Sequence, residues 1–347
     1  MKLFSNNNNF FGLDIGTNSI RIVQLSGSDK SKPKDLIRYA YSPIDSKLVF
    51  SESKVDRSRL VQNIKDLVTK ANINTKNVAV GIDSSKVFTA VVDIDKLKDS
   101  ELAKSINYQA DVFIPTSIED SIIDWAVLGE SPKDKTKLDL LLSSTTKDFA
   151  ISQLELIESA GLNVIAFEPD VMAISRSLVP PSDTESIVII DIGARSTDLV
   201  ILFDNLPHLA RSIATGSDAL SRAVAQNLNS ELSQAEQFLY KFGLSKDKIE
   251  GQVYQAVIAT VESLMVEVDK SIKFFYERYE NKKVNKIIIA GAGAIIPEFP
   301  VFIANRFGIS VEIGNAWTNV NYNPTIRAEL MAISNQFSVA VGLAERY

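Results

Sequence analysis

Apolar and polar residues first fall into a readable order at Phe11-Gly12-Leu13-Asp14-Ile15, where a strand-like run meets the polar tip Gly16-Thr17-Asn18-Ser19. A second run, Ile20-Arg21-Ile22-Val23-Gln24-Leu25, follows directly, so the segment predicts a hairpin. The same pattern returns at Ile189-Ile190-Asp191-Ile192-Gly193-Ala194-Arg195-Ser196-Thr197-Asp198-Leu199-Val200-Ile201-Leu202. At one constant spacing Asp14, Ile15, Gly16, Ser19, Val23 and Leu25 meet Asp191, Ile192, Gly193, Ser196, Val200 and Leu202. An internal repeat of this kind implies two related halves. The break between them falls at Pro180-Pro181-Ser182-Asp183.

Within the first half, Leu60, Ile64, Leu67, Val68 and Ala71 have helical spacing, and strands are predicted at Val78 to Ile82 and Val87 to Ile94. Leu102, Ile106 and Ala110 stack on a further helix that Ile114-Pro115 ends, because the residue before proline avoids helical geometry. A polar loop, Gly129 to Lys137, then separates two more strands. Residues 86 to 145 thus read as a compact insert of strand, helix, strand and strand. Lys147 to Ala160 is a predicted helix closed by Gly161, and Val164 to Phe167 a short strand. In the second half, helices are predicted at Asp218 to Leu228, Leu232 to Phe242 and Ile249 to Tyr279. A strand at Lys286 to Ala290, a Gly291-Ala292-Gly293-Ala294 turn, a helix at Pro297 to Phe307, a strand at Val311 to Ile313 and a last helix at about Phe337 to Glu345 complete the chain. Alternation of strands and helices makes the class α/β.

At 347 residues the chain has length for about two domains. Hydrophobic residues make up 45% and charged residues 23%, ordinary globular values that argue against disorder. The net charge of −6 disfavours binding to a phosphate backbone. There is no cysteine and one histidine, His208, which excludes thiol chemistry, disulfides and zinc sites built on those ligands. His208 follows Asp204-Asn205-Leu206-Pro207 and is expected on a surface turn. The polar, Asn-rich N-terminus lacks a signal-peptide core, and no run of 18 apolar residues occurs, so the expected location is the cytoplasm.

The candidate chemistry lies in the repeated turn. Gly at the bend with Thr17, Asn18 and Ser19 at the tip directs backbone N–H groups and hydroxyls to one point, as in anion-binding nests. Two such turns could grip a polyphosphate, with Asp14 and Asp191 holding hydrated Mg²⁺ through water. Either turn alone is equally an ordinary hairpin capped by an aspartate; the duplication is what points to a ligand. No Walker A pattern is present. Gly291-Ala292-Gly293 lacks the third glycine of a dinucleotide fingerprint, yet it would let a flat adenosine approach the backbone.

As a set, the two Asp-Ile-Gly turns, Ala290 to Ala294 and the closing Ser338-Val339-Ala340-Val341-Gly342-Leu343-Ala344 helix resemble the actin-like ATPases, which include FtsA, MreB, sugar kinases and heat-shock chaperones. More narrowly, Gly12 to Leu25, Ile106-Asn107-Tyr108-Gln109-Ala110-Asp111-Val112-Phe113-Ile114-Pro115, Ala160-Gly161-Leu162, Glu168-Pro169, Val188 to Thr197 and Ile272 to Tyr276 resemble the PilM family of type IV pilus assembly proteins. The resemblance implies a duplicated actin-like, ribonuclease H-like fold with two domains around a nucleotide cleft. The first would span residues 1–180 plus C-terminal helices at about 328–347. It would carry an FtsA-type inserted subdomain at about 86–145 beside it. The second would span 181–327, with a helical subdomain at about 217–285.

By the same resemblance ATP with Mg²⁺ would bind Asp14, Gly16, Thr17, Asn18, Ser19 and Arg21 in the first half. In the second half the ligands would be Asp191, Gly193, Ala194, Arg195, Ser196, Thr197, Glu236, Gly291, Ala292 and Gly293. Glu168 would face the attacking water, with helix capping as its other reading; turnover would be slow at most. Relatives tend to carry Lys three residues after the Glu at position 236, whereas here Leu239 stands there. The implied partner is the N-terminal cytoplasmic peptide of a PilN-like inner-membrane protein, with Tyr108, Phe113, Ile114 and Pro115 as candidate contacts. The chain would then be peripheral to the inner membrane through that protein. A small-molecule kinase of the same superfold and an FtsA-like filament former are the alternatives.

Overall fold

The computed structural model describes residues 9–27, 32–97, 101, 105–106, 109–280 and 282–346. The predicted contact residue Tyr108 lies outside the described residues. In chain order the strands are β1 (Phe11–Ile15), β2 (Ser19–Ser26), β3 (Lys34–Pro43), β4 (Asn77–Ile82), β5 (Phe88–Asp95), β6 (Ser121–Glu130), β7 (Lys137–Thr146), β8 (Asn163–Pro169), β9 (Ile187–Ile192), β10 (Thr197–Phe203), β11 (Leu206–Ile213), β12 (Lys286–Ala290), β13 (Ser310–Ile313) and β14 (Val320–Asn321). The helices are α1 (Ser46–Phe50), α2 (Lys54–Lys70), α3 (Lys147–Ser159), α4 (Asp170–Leu178), α5 (Ser217–Leu228), α6 (Leu232–Phe242), α7 (Gln252–Arg278), α8 (Phe299–Phe307) and α9 (Arg327–Glu345).

Two compact units result, one from the described residues of 1–86, 145–181 and 315–347, the other from those of 87–144 and 182–314. The first holds a six-stranded sheet in the order β14-β3-β2-β1-β4-β8, and the second a five-stranded sheet in the order β11-β10-β9-β12-β13. In each, an antiparallel meander (β3-β2-β1, β11-β10-β9) continues into two parallel strands (β4 and β8, β12 and β13). The sequence repeat is therefore a repeat of sheet topology. Apolar strand faces meet α2 and α3 in the first unit through Phe11, Leu13, Ile64, Val80 and Ile157. In the second they meet α5, α6, α7 and α8 through Ile190, Leu199, Val224, Leu239, Val257, Phe275 and Ile303.

The C-terminal helix α9 closes the first unit by backbone-to-backbone contact. A Cβ on Gly12 would overlap the Ala340 carbonyl, one on Gly342 would overlap the Ala173 carbonyl, and one on Gly81 would lie 3.1 Å from Val339 Cγ1. Glycine at these points lets β1, β4 and α4 approach the helix closer than side chains allow. The helix begins at Arg327, about ten residues before its predicted start. No proline or glycine interrupts 327–341, and Ser334 within it is buried and bonded: its Oγ accepts from Ala316 N at 2.8 Å and donates to Asn315 Oδ1 at 3.0 Å.

Other elements depart from the sequence expectation. The chain returns to the first unit at Asn315, before the predicted boundary of 327, because Trp317 is buried there and packs 5.5 Å from the Phe337 ring. The insert, expected beside the first domain, makes its contacts in the second unit. Arg278, at the end of α7, reaches Asp93 at 2.8 Å and Asp139 at 2.5 Å, and the Tyr279 hydroxyl donates to Asp139 Oδ2 at 2.7 Å. The insert's three-stranded sheet, β5-β7-β6, encloses Val92, Ile94, Ile106, Ala110, Ile114, Leu140 and Leu142. Helix α7 starts at Gln252, because Ile249, Glu250 and Gly251 adopt left-handed backbone angles.

His208 is not on the surface. The predicted turn exists, with Asp204 and Asn205 at positive φ. The imidazole nevertheless lies buried on β11, with its ring 4.9 Å from that of Tyr279 and 5.7 Å from that of Phe203. Burial pushes its pKa down from 6.5 to about 4, opposed by Asp204 and aided by Arg278.

Two predictions follow from this packing. Gly342→Ala is expected to destabilise the protein by about 3 kcal/mol, since the overlap is with fixed backbone; urea denaturation would measure it, and a wild-type midpoint would contradict the contact. Folded His208 refuses a proton that the unfolded chain accepts, so its contribution is fully present above pH 6.5 and is lost as pH falls towards 4. At about 1.4 kcal/mol per unit, His208→Phe should shrink the stability difference between pH 7 and pH 5 by about 2 kcal/mol. An unchanged difference would show that His208 titrates normally in the fold.

Candidate functional site

Asp14 stands near the C-terminal end of β1, directly across the hairpin from Arg21. Its buried carboxylate accepts from Arg21 Nη1 at 2.8 Å. Burial raises the Asp14 pKa, Arg21 opposes the rise, and the nearby Asp83 at the end of β4 adds to it. The turn closes through Gly16 N donating to Ser19 O at 3.1 Å, and Asn18 O accepts from Ile44 N at 3.0 Å. Asn18 is exposed at the tip, Thr17 is partly exposed and Ser19 is buried. Arg21 Nη1 would lie 2.8 Å from a Cβ on Gly16, so the guanidinium lies along the turn.

The second turn repeats the backbone. Gly193 N donates to Ser196 O at 2.9 Å. Thr197 is fully buried and its hydroxyl donates to Thr215 O at 2.7 Å, which fastens the segment leading into α5. Arg195 is exposed at the tip, with Ala194 and Ser196 partly exposed beside it. The helix start is drawn onto the turn: Ser217 N donates to Gly193 O and Asp218 N to Ala194 O, both at 2.9 Å. A Cβ on Gly216 would overlap the Ala194 carbonyl, so this approach requires glycine. On the other side Gly291, at φ +77°, leaves no room for a side chain against Asp191 Oδ1, which brings the Gly291-Ala292-Gly293 turn to the aspartate. Asp191, Gly193 to Thr197 and Gly291 to Gly293, separated by almost a hundred residues, therefore share one place.

The sequence missed Gly216-Ser217-Asp218, Arg222 and Tyr240. Burial raises the Asp218 pKa, while Arg222 and then Arg195 act against it. Burial likewise pushes the Tyr240 phenol up; it is hydrogen-bonded to Ser217 and senses the charges of Glu236 and Asp218. Glu236 is exposed on α6 at the edge of this group, whereas Leu239 is fully buried. One helical turn after Glu236, the outward position belongs to Tyr240, which is the signal that periodicity held. Ser217 and Asp218 also fit an N-terminal helix signature after glycine.

A phosphate fits both turns: each is a tight, Gly-opened bend with a closing N–H bond and exposed tip residues, whereas Gly291 and Gly293 serve close packing against Asp191 and Ile192. Asp14 and Asp191 are oxygen donors suited to Mg²⁺ through water. Among the described residues no group of three or more His, Cys, Asp or Glu could form a complete metal site.

Glu168 ends β8 with its carboxylate held between Arg176 and Arg346; the Arg346 contact is 3.0 Å. Arg176 also donates to Gly342 O at 2.6 Å. This arrangement ties α4 to the end of α9 and gives Glu168 a structural assignment that the sequence did not disclose. Of the described peptide candidates, Phe113 and Pro115 are exposed, while Ile114 is part of the insert's core.

The family model for the type IV pilus assembly protein PilM matches residues 12–347. Among solved structures, a PilM-PilN type IV pilus biogenesis complex is similar at 23% identity, covering 97% of each chain with a TM-score of 0.82. The ethanolamine utilization protein EutJ from Carboxydothermus hydrogenoformans is similar at 15% identity, covering 96% of this chain and 88% of that one, with a TM-score of 0.59. MreB5 of Spiroplasma citri bound to ADP follows at 12% identity, covering 96% and 94%, with a TM-score of 0.54. The fold is the duplicated actin-like ATPase fold, which accounts for the repeated sheet order and the paired turns. The chain belongs to the type IV pilus assembly protein PilM family.

Proposed function

We propose that this chain is a cytoplasmic, ATP-binding component of type IV pilus assembly that captures the N-terminal peptide of a PilN-like membrane protein. The observation that carries the nucleotide part is the duplicated Asp-Ile-Gly turn with the same closing bond, Gly16 N to Ser19 O and Gly193 N to Ser196 O. MreB5 of Spiroplasma citri, which shares the fold, is bound to ADP in its structure, and that supports nucleotide as the ligand class. Asp14, Gly16 to Ser19 and Arg21 would hold phosphate and Mg²⁺ from one half. Asp191, Gly193 to Thr197 and Gly291 to Gly293 would do so from the other, with Glu236 towards the ribose. With its charge balanced by two arginines, Glu168 is a poor candidate for activating water, which agrees with slow turnover at most.

The PilM-PilN complex supports the peptide part. Among the described residues no helix is long and apolar enough to cross a membrane, so recruitment to the membrane face would run through the partner. Exposed Phe113 and Pro115 offer an apolar and a rigid contact to an extended peptide.

Calorimetric titration with the N-terminal cytoplasmic peptide of the neighbouring PilN-like protein tests the reading. Saturable binding that strengthens with Mg²⁺–ATP is expected; tight ATP binding with no peptide response would redirect attention to a kinase substrate. Asp14→Asn is expected to weaken Mg²⁺–ATP by about tenfold through loss of one metal-organising carboxylate. Unchanged affinity, with a native circular dichroism spectrum, would remove Asp14 from the site.

A further inference from the structure

The insert's own sheet sets two carboxylates against each other. Asp93 on β5 and Asp139 on β7 stand directly opposite in the antiparallel register, and Asp139 is buried. Like charges in such a cross-strand pair repel. The balancing charge comes from the end of α7, where Arg278 Nη2 contacts Asp93 Oδ1 at 2.8 Å and Asp139 Oδ1 at 2.5 Å, and the Tyr279 hydroxyl donates to Asp139 Oδ2 at 2.7 Å. Among the described residues Arg278 is the only cation in an ion pair with either aspartate. Strand alternation sends the neighbours of these aspartates to the other face, where Val92, Ile94 and Leu140 share a core with Ile106, Ala110 and Ile114. Ile114 is buried there, while Phe113 and Pro115 on either side of it are exposed. Strands β5 and β7 thus carry the joint on one face and the segment with the candidate partner contacts on the other.

We propose that Arg278 is a positioning residue for partner capture: acting through Asp93 and Asp139, it sets the orientation in which β5 and β7 hold the Phe113–Pro115 segment towards a bound peptide. The proposal rests on the peptide reading above and adds its means of control, a residue of α7 far along the chain from those contacts. Without the guanidinium, two opposed carboxylates remain on the face turned to α7, one of them buried and uncompensated. The sheet relieves that repulsion by turning away from α7. The segment on its other face moves with it, because Ile114 is anchored in the same core as Ile94 and Leu140. Tyr279 restrains Asp139 from a second direction. None of the residues assigned to the nucleotide belongs to this joint, so peptide and nucleotide affinities should separate.

Calorimetry on the full chain with the N-terminal cytoplasmic peptide of the PilN-like protein, and separately with Mg²⁺–ATP, tests this. Arg278→Met is expected to weaken the peptide about tenfold and leave Mg²⁺–ATP unchanged. Arg278→Lys, which restores a cation between the two carboxylates, should recover most of the loss. In a double-mutant cycle Phe113→Ala should cost less on Arg278→Met than on the wild type, because its contact is already displaced. Tyr279→Phe removes one hydroxyl and keeps the ion pairs; it should weaken the peptide about twofold, and it carries the test if thermal denaturation shows that Arg278→Met does not fold. Unchanged peptide affinity in Arg278→Met, or in Tyr279→Phe where the former does not fold, would overturn the proposal and leave the peptide reading in place. Equal losses for peptide and ATP, or additive effects of Arg278→Met and Phe113→Ala, would do the same. If the wild-type chain does not bind the peptide, the peptide reading itself fails, and the role given to Arg278 goes with it.

Discussion

The first unit depends on one close contact, the seating of α9 against main chain. Three glycines from separate parts of the sequence, Gly12 on β1, Gly81 on β4 and Gly342 on α9 itself, remove the side chains that would hold these elements apart. Contact at this distance recovers dispersion energy over the whole length of the interface, but it tolerates no added methyl group. It also fixes where β1 and β4 end. Asp14 and Asp83 stand at those ends, where the Asp83 charge adds to the rise of the Asp14 pKa, and Asp170, at the start of α4, lies 2.5 Å from where a Gly81 Cβ would be. The acidic strand ends are thus positioned by a small-residue requirement on the opposite side of the same strands. The ion group of Glu168, Arg176 and Arg346 serves that seating as well, by fastening α4 to the last turn of α9.

Much of this was legible in the sequence because the decisive patterns are local. Each Asp-Ile-Gly turn is a contiguous run, and its recurrence announced both the halves and their matching bends. What the sequence hid depends on partners distant along the chain. Asp204 to Pro207 looks like a surface turn, and the turn is present, yet the following His208 is covered by Tyr279 from the end of α7. The apolar period of α7 runs smoothly back to Ile249, but three left-handed residues stop the helix at Gln252. The last helix starts at Arg327 rather than near Phe337, and its buried Ser334 accepts from Ala316 N. In the candidate site, Arg195 and Glu236 were visible, whereas Asp218 and Tyr240 belong to it only because α5 and α6 bring them to the turn.

The insert shows the same limit in a stronger form. Asp93, Asp139 and Arg278 have nothing in common in the sequence, yet Asp139 is 1% exposed and both carboxylates meet one guanidinium. Such a group costs desolvation energy that its ion pairs only partly offset, and removing one member would leave an uncompensated buried charge. Its consequence is geometric more than energetic: Arg278 Nη2, shared by the two carboxylates, and the Tyr279 hydroxyl fix the orientation of β5 and β7 on the end of α7. An insert that is contiguous with the first half in sequence therefore takes its bearing from the second.

Duplication has conserved the backbone of the two turns and let their charges diverge. In the first, the aspartate is answered from inside its own hairpin by Arg21. In the second, the matching strand position is Asp198, so the turn carries two carboxylates across one register, and its arginine, Arg195, stands exposed at the tip. The second half is accordingly the one whose turn sets carboxylate against carboxylate. It is also the half on which the insert is clamped, so this altered turn and the candidate partner contacts reside in the same compact unit.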